Sequence, residues 1–371
     1  MYGLYIHIPF CESRCIYCGF YSTTQSEFID RYVRAVCKEM ELRKDYLPDR
    51  RIRTIYFGGG TPSLLSHRHL STIFHNINKV YDTGCLQEVT LECNPDDVTA
   101  DFASALRSLP VNRVSLGAQT FSDERLRFLN RRHTSLEIVS AVSDLRRAGI
   151  NNISIDLMFG FPSQTLHEWR TDIDRALALE VEHISAYSLM YEEGTRLFKM
   201  LSLGKVQETD EEKSRSMYEI LIDKLCSAGY EHYEISNFAK PGYRSCHNSS
   251  YWQAVPYIGI GAAAHSYDCR SRQWNIDNIE LYMQGIEHGE IPMEKEILSP
   301  ETVYNDTITT ALRTYEGIDL NKQHPNFRNY FMKNARKHIA SGLLEINDNR
   351  ARLTRKGLYV SDMVMSDLMF V

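Results

Sequence analysis

The chain has 371 residues, 43% hydrophobic and 24% charged, with 42 basic against 48 acidic side chains and a formal net charge of −6. That composition fits a packed protein with one large and one smaller domain, and the lack of positive excess argues against nucleic acid as its main partner. Residues 1–10 lack the basic region and cleavage site of a signal peptide, and no stretch approaches the roughly 18 apolar residues that span a bilayer, so the expectation is a cytoplasmic protein whose membrane contacts, if any, are transient.

In chain order, β-branched runs at 4–8, 54–57, 88–92, 113–116, 153–157 and 183–189 read as strands. Helical periodicity fills the intervals at 28–46, 68–80, 100–108, 136–148 and 166–179, with Gly149 a good helix stop and Asn94-Pro95 a strand stop. Six strands alternating with helices predict βαβ units and a parallel sheet, curled as a barrel or left open. Right-handed crossovers then bring the strand C-termini to one edge. The unusual residues fall there: the cysteines after strand one, Gly58–Gly60 after strand two, Glu92-Cys-Asn-Pro95, Gly117-Ala-Gln119 and Asp156. Ligands of α/β proteins bind at that edge.

After residue 208 the pattern changes. Residues 208–228 read as a long helix closed by Gly229, 230–252 as a polar, aromatic loop, and 259–265 as a run of small residues ending in His265. From 299 two helices (301–313 and 327–341), a hairpin around Asn347-Asp-Asn349 and a last helix over 356–369 resemble a winged helix without a basic stripe. The reading is a core at 1–230, a connecting region at 231–298 and a C-terminal unit at 299–371.

Nine cysteines are present, and only Cys11, Cys15 and Cys18 cluster. Three thiolates on a short loop suit three irons of a cubane, leaving the fourth iron open to a small molecule. Phe10, Tyr17 and Phe20 are expected to shield it. Zinc is the rival for this spacing; it needs a fourth ligand such as His7, and the chain offers no second knuckle. A zinc-stabilised binding module is therefore the reading from another class.

The segment Tyr5-Ile-His-Ile-Pro-Phe-Cys11-x3-Cys15-Ile-Tyr-Cys18-Gly-Phe20 resembles the start of the HemN/HemW group of radical SAM proteins. Gly58-Gly-Gly-Thr-Pro-Ser63, Glu92-Cys-Asn-Pro95, Ser115-Leu-Gly-Ala-Gln-Thr-Phe121 and Asp156-Leu-Met-Phe-Gly-Phe-Pro162 are similar to that group in order and spacing. The resemblance continues through Lys240-Pro-Gly-Tyr243, His247-Asn-Ser-Ser-Tyr-Trp252 and Tyr257-Ile-Gly-Ile-Gly261. It implies a partial (β/α)6 TIM-like barrel with a HemN-type α+β C-terminal domain, and a [4Fe-4S] cluster on Cys11, Cys15 and Cys18. It also implies S-adenosylmethionine held near Tyr5, Tyr17, Gly59, Gly60, Thr61, Glu92, Gln119, Arg131 and Asp156. In the group that cofactor is cleaved reductively.

Two activities divide the group. Its oxygen-independent coproporphyrinogen III oxidases carry a further cysteine two positions after the triplet, where this chain has Phe20, and a longer segment before it, where this chain has ten residues. Both departures count against oxidase activity. The HemW branch, regarded as haem chaperones, has an aromatic residue at that position and an H-N-x-x-Y-W motif, here His247, Asn248, Tyr251 and Trp252. The resemblance thus implies haem as ligand, with His247 as candidate iron ligand, and acceptor haemoproteins, possible members of the respiratory chain, as partners. Taken alone, a histidine beside aromatic residues is as readily a packed or capping residue. Cys246 and His265 are further candidates that the sequence does not decide.

Overall fold

The computed structural model describes residues 1–371. Its centre is six parallel strands in chain order: β1 (Tyr2–Ile8), β2 (Ile52–Gly59), β3 (Glu88–Cys93), β4 (Arg113–Gln119), β5 (Asn152–Phe159) and β6 (His183–Ser188). Helices α1 (Ile29–Leu42), α2 (His67–Val80), α3 (Ala100–Leu106), α4 (Asp123–Phe128), α5 (Ser135–Arg147) and α6 (Leu166–Ala178) lie between them. Capping boxes start α2 at Ser66, α5 at Thr134 and α6 at Thr165, satisfying amides that the first turn cannot bond internally. β1 and β6 do not pair, so the barrel is partial.

The strands are two-faced. Leu4, Ile6 and Ile8 on β1, Val89 and Leu91 on β3, and Ile153, Ile155 and Leu157 on β5 belong to one core of 60 buried residues packed under the helices. The alternate positions face the lumen. There stand Tyr5 and His7, Thr54 and Tyr56, Glu88, Thr90 and Glu92, Arg113 and Ser115, Ser154 and Asp156, and His183 and Ser185. Closed eight-stranded barrels fill this space with branched apolar side chains. Here it is polar throughout, which marks it as a place for chemistry.

The sheet has twelve strands, six more than the sequence reading found. After α7 (Arg196–Ser202) and α8 (Glu211–Ser227), β7 (Glu231–Glu234) and β8 (Asn237–Ala239) form an antiparallel pair on the edge of β6. The helix α9 (Cys246–Trp252) follows, where a loop was expected. Ser245 caps it, and the Glu88 carboxylate accepts the backbone N–H groups of Cys246 and His247 at 2.8 and 2.9 Å. On the other edge β9 (Tyr257–Ile260) pairs parallel with β1, extended by β10 (His265–Tyr267), β11 (Ser271–Asn275) and, beyond α10 (Ile279–His288), β12 (Met293–Ile297). This edge is tied to α1 by the fully buried Glu39. Its carboxylate accepts from Arg43 (3.1 Å), Gly261 N (2.8 Å), Asn275 Nδ2 (2.7 Å) and Tyr282 OH (2.6 Å).

The C-terminal unit has its own core of 13 buried residues. It comprises α11 (Pro300–Ala311), α12 (Pro325–Ala340), a sheet of β13 (Ile318–Asp319), β14 (Leu344–Asn347) and β15 (Arg350–Leu353), then α13 (Arg355–Leu358) and α14 (Ser361–Leu368). The last helix expected from the sequence is thus two short ones. No helix is long and apolar enough to cross a membrane.

Candidate functional site

The cysteine loop leaves β1 through Pro9 and Phe10 and is pinned at its base by Cys11 N donating to Thr23 O (2.9 Å) and Thr23 N to Pro9 O (2.7 Å). Its middle docks through Ile16, which is buried with Leu129, Met158, Phe161, Leu189 and Leu197 around the C-terminal ends of β5 and β6. Thr61 Oγ1 lies 3.5 Å from Cys11 Sγ, and Arg131 Nη1 lies 3.4 Å from Cys15 Sγ. Burial pushes the Cys11 and Cys18 thiols above their usual range. A bound cluster would hold them as thiolates.

No group of three His, Cys, Asp or Glu side chains converges as ligands of one ion do. Of the expected shielding residues, Tyr17 packs at the loop. Phe10 continues the outward alternation of β1 and meets Tyr32 edge-on at 5.3 Å, while Phe20 is 72% exposed.

The glycine run lies against this loop. Gly59 has φ +113°, a region that side chains rarely adopt, and a Cβ there would stand 2.5 Å from the His7 ring. A Cβ on Gly60 would meet the Phe10 carbonyl oxygen at 2.7 Å. The Gly59→Ala protein is expected to lose at least about 1–2 kcal/mol of stability from the backbone alone. Urea denaturation measures this, and an unchanged midpoint contradicts the described conformation.

Glu92, at the end of β3, accepts Tyr56 OH at 2.7 Å and Gly59 N at 3.2 Å. Burial raises its pKa to about 7, against the pull of the Tyr56 and Gly59 hydrogen bonds. Asp156 is likewise raised by burial, with Ser115 Oγ 3.5 Å away. Tyr5 reaches His7 Nδ1 at 3.0 Å and stacks on Tyr56 with centroids 6.2 Å apart. Gln119 ends β4 at φ +65° after a register shift that turns it from the strand.

Arg131, in an Arg-Arg-His run that alone suggests a solvated face, is instead drawn inward. Its Nη2 donates to Asn94 Oδ1 and Gly117 O, both at 2.7 Å. Its fork therefore already links the cysteine loop to the ends of β3 and β4. So Cys11, Cys15, Cys18, Tyr17, Gly59, Gly60, Thr61, Glu92, Gln119 and Arg131 gather at the strand C-termini, with Tyr5 and Asp156 in the lumen just below.

His247, Asn248, Tyr251 and Trp252 lie elsewhere. Gly3, Thr54 and Glu88, the strand residues next to α9, all stand near the N-terminal ends of their strands, so α9 plugs the opposite mouth. His247 is 1% exposed. Its Nδ1 meets Thr54 Oγ1 and its Nε2 meets Tyr251 OH, both at 2.8 Å, and the ring stacks on Tyr56 at 5.1 Å. Both ring nitrogens are thus engaged. Burial lowers its pKa to about 3, so the ring is neutral. Trp252 lies under the Arg313 guanidinium at 5.0 Å, and its buried Nε1 has no partner. Asn248 donates its backbone N–H to Ser245 Oγ.

Arg113 is among the lumen residues that the sequence alone does not single out. It is 1% exposed, and its Nε and Nη1 have no partner. Its positive charge lowers the pKa values of Glu92 and Asp156 against the raising effect of burial, and lowers that of His247 further. An arginine within an apolar strand run was the available signal.

A family model described as the radical SAM superfamily matches residues 5–176, and one described as the HemN C-terminal domain matches residues 298–360. The chain is 34% identical to the heme chaperone HemW of Lactococcus lactis subsp. lactis (strain IL1403), over 97% of this chain and 95% of that one. It is 35% identical to the heme chaperone HemW of Bacillus subtilis (strain 168), over 96% of each. Among solved structures, coproporphyrinogen III oxidase (HemN) from Escherichia coli superposes with a TM-score of 0.85 at 21% identity, covering 99% of this chain and 89% of that one. That likeness shows the shared fold, the partial barrel with its HemN-type C-terminal domain. The near-complete coverage by relatives at this identity is decisive: the chain belongs to the HemW family of radical SAM proteins.

Proposed function

We propose that the chain is a haem chaperone that carries a [4Fe-4S] cluster with S-adenosylmethionine and hands haem to acceptor haemoproteins. The observation that carries this is the end-to-end similarity to heme chaperones HemW. It is supported by Phe20, which stands where the related oxidases have a further cysteine.

When bound, the cluster would supply an electron for reductive cleavage of the cofactor. The chain's own part is positional. Cys11, Cys15 and Cys18 hold the cluster, Glu92 takes a cationic group, Asp156 takes hydroxyl groups, and Gly59 and Gly60 let backbone come close. Tyr17 excludes water from one side.

Two measurements test this. Haem-loaded protein mixed with an apo-haemoprotein is expected to yield the holo-acceptor spectrum; a loaded protein that releases nothing to any acceptor contradicts the chaperone reading. Incubation without oxygen with coproporphyrinogen III, S-adenosylmethionine and a reductant is expected to give no protoporphyrinogen IX. Its formation would establish the oxidase alternative.

A further inference from the structure

The imidazoles around the barrel differ in what their nitrogens do. His7 on β1 meets Tyr5 OH (3.0 Å) and the Tyr21 carbonyl oxygen (3.2 Å), and His183 on β6 meets Ser154 Oγ and Tyr233 OH, both at 2.7 Å. His247 on α9 is likewise engaged at both nitrogens. His265 on β10 is exposed and hydrogen-bonds through neither. Resting on the haem-chaperone reading above, we propose that haem binds against the inner face of the β9–β11 edge, with His265 Nε2 on the iron and Trp274 beside the porphyrin.

Contacts tell the two faces of this edge apart. Ser266 Oγ accepts from Arg43 of α1 (2.9 Å) and Asn275 Nδ2 donates to Glu39 of α1 (2.7 Å), so Ser266, Gln273 and Asn275 are buried on the helix side. Alternate residues point the other way. These are Tyr257 on β9, His265 and Tyr267 on β10, and Arg272 and Trp274 on β11. Since Gly259 pairs with Tyr5, this face continues the lumen wall of β1. Arg272 pairs with Glu296 (3.0 Å) and with Asp306 of α11 (3.1 Å). The C-terminal unit therefore covers the Tyr267 end of the face and leaves the His265 end open.

The backbone on both sides of the imidazole is fixed. Gly259 N donates to Ser266 Oγ at 2.9 Å and Asn275 N to Ala264 O at 3.0 Å. A Cβ on Gly259 would stand 2.0 Å from the His265 carbonyl oxygen, so only glycine allows this approach. His265 and Trp274 are cross-strand partners with ring centroids 6.0 Å apart and planes at 25°. Partial burial and the Arg272 charge hold the imidazole below its usual pKa and therefore neutral, the form that ligates iron. Nε2 is the ring nitrogen farther from Cβ, so a porphyrin plane on it clears the strand. The Trp274 indole supplies apolar surface at the same opening. With Arg272 already paired, the propionates are assigned to solvent.

The test is titration of the full chain with haemin, followed at the Soret band, and with metal-free protoporphyrin IX, followed by its fluorescence. Wild type is expected to bind haemin saturably. His265→Ala is expected to bind haemin at least about tenfold more weakly with a shifted band, and to bind protoporphyrin IX as wild type does. Trp274→Ala is expected to weaken both, and added imidazole to restore the wild-type band to His265→Gly. Wild-type haemin affinity and spectrum in His265→Ala overturn the proposal, as do equal losses for the two porphyrins. A band lost in His247→Gln but kept in His265→Ala overturns it too. Should the His265 variants fail to fold, unchanged haemin affinity in Trp274→Ala overturns it alone. A wild type without saturable haem binding removes the haem-chaperone reading itself, and this site with it.

Discussion

Binding of S-adenosylmethionine is expected to be about tenfold weaker at about pH 6 than at about pH 8, with Glu92→Gln abolishing the dependence and weakening binding at the higher pH by roughly 10–100-fold. The cause is the position of Glu92 inside the lumen, where burial raises its pKa to about 7. A carboxylate that accepts a cationic group must first lose its proton, so affinity rises with pH through that value and levels above it.

The same shift has the opposite effect on the empty protein. Between the ordinary value of 4.5 and about 7 the folded chain keeps a proton that the unfolded chain has released, so stability falls as pH rises through that window. Glutamine carries no charge to desolvate. Glu92→Gln is therefore expected to be more stable than wild type at neutral pH, by about 1–3 kcal/mol. Calorimetric titration and urea denaturation of one preparation check both halves. A variant that binds as tightly as wild type removes Glu92 from the cofactor site.

His247→Ala is expected to lose about 2–4 kcal/mol of stability. The change removes a fully enclosed ring that stacks on Tyr56 and leaves Thr54 Oγ1 and Tyr251 OH without their 2.8 Å partners. Since Tyr56 donates to Glu92 at 2.7 Å, the loss is expected to reach the other end of the lumen as a few-fold weaker hold on S-adenosylmethionine. Denaturant midpoints and cofactor titration measure the two effects. An unchanged midpoint contradicts the packing described for α9.

The parallel strands were legible because each is a short β-branched run bounded by its own helix, and the loops at their C-termini stood out by residue type. The strands β7 to β12 were not. β9 owes its place to pairing with β1 across some 250 residues of chain, which leaves no local periodicity to read. α9 reads as a loop because its seven residues are polar and aromatic, and its start depends on Glu88, a residue distant in sequence, as well as on the Ser245 cap. Arg131 shows the converse limit. Its neighbours in sequence suggested solvent, and only the fold brings Cys15, Asn94 and Gly117 around it. Family resemblance singled out His247, but which of its nitrogens are free is a property of three dimensions.

The two mouths of the lumen have one further consequence. The cysteine loop stands past the C-terminal end of β1, while α9 closes the lumen at the level of Gly3, Thr54 and Glu88. A strand of seven or eight residues separates those levels by roughly 25 Å at about 3.3 Å per residue. A change at the α9 end therefore has to travel the length of the barrel, through side chains such as Tyr56 and Glu92, to be felt at the cysteine loop.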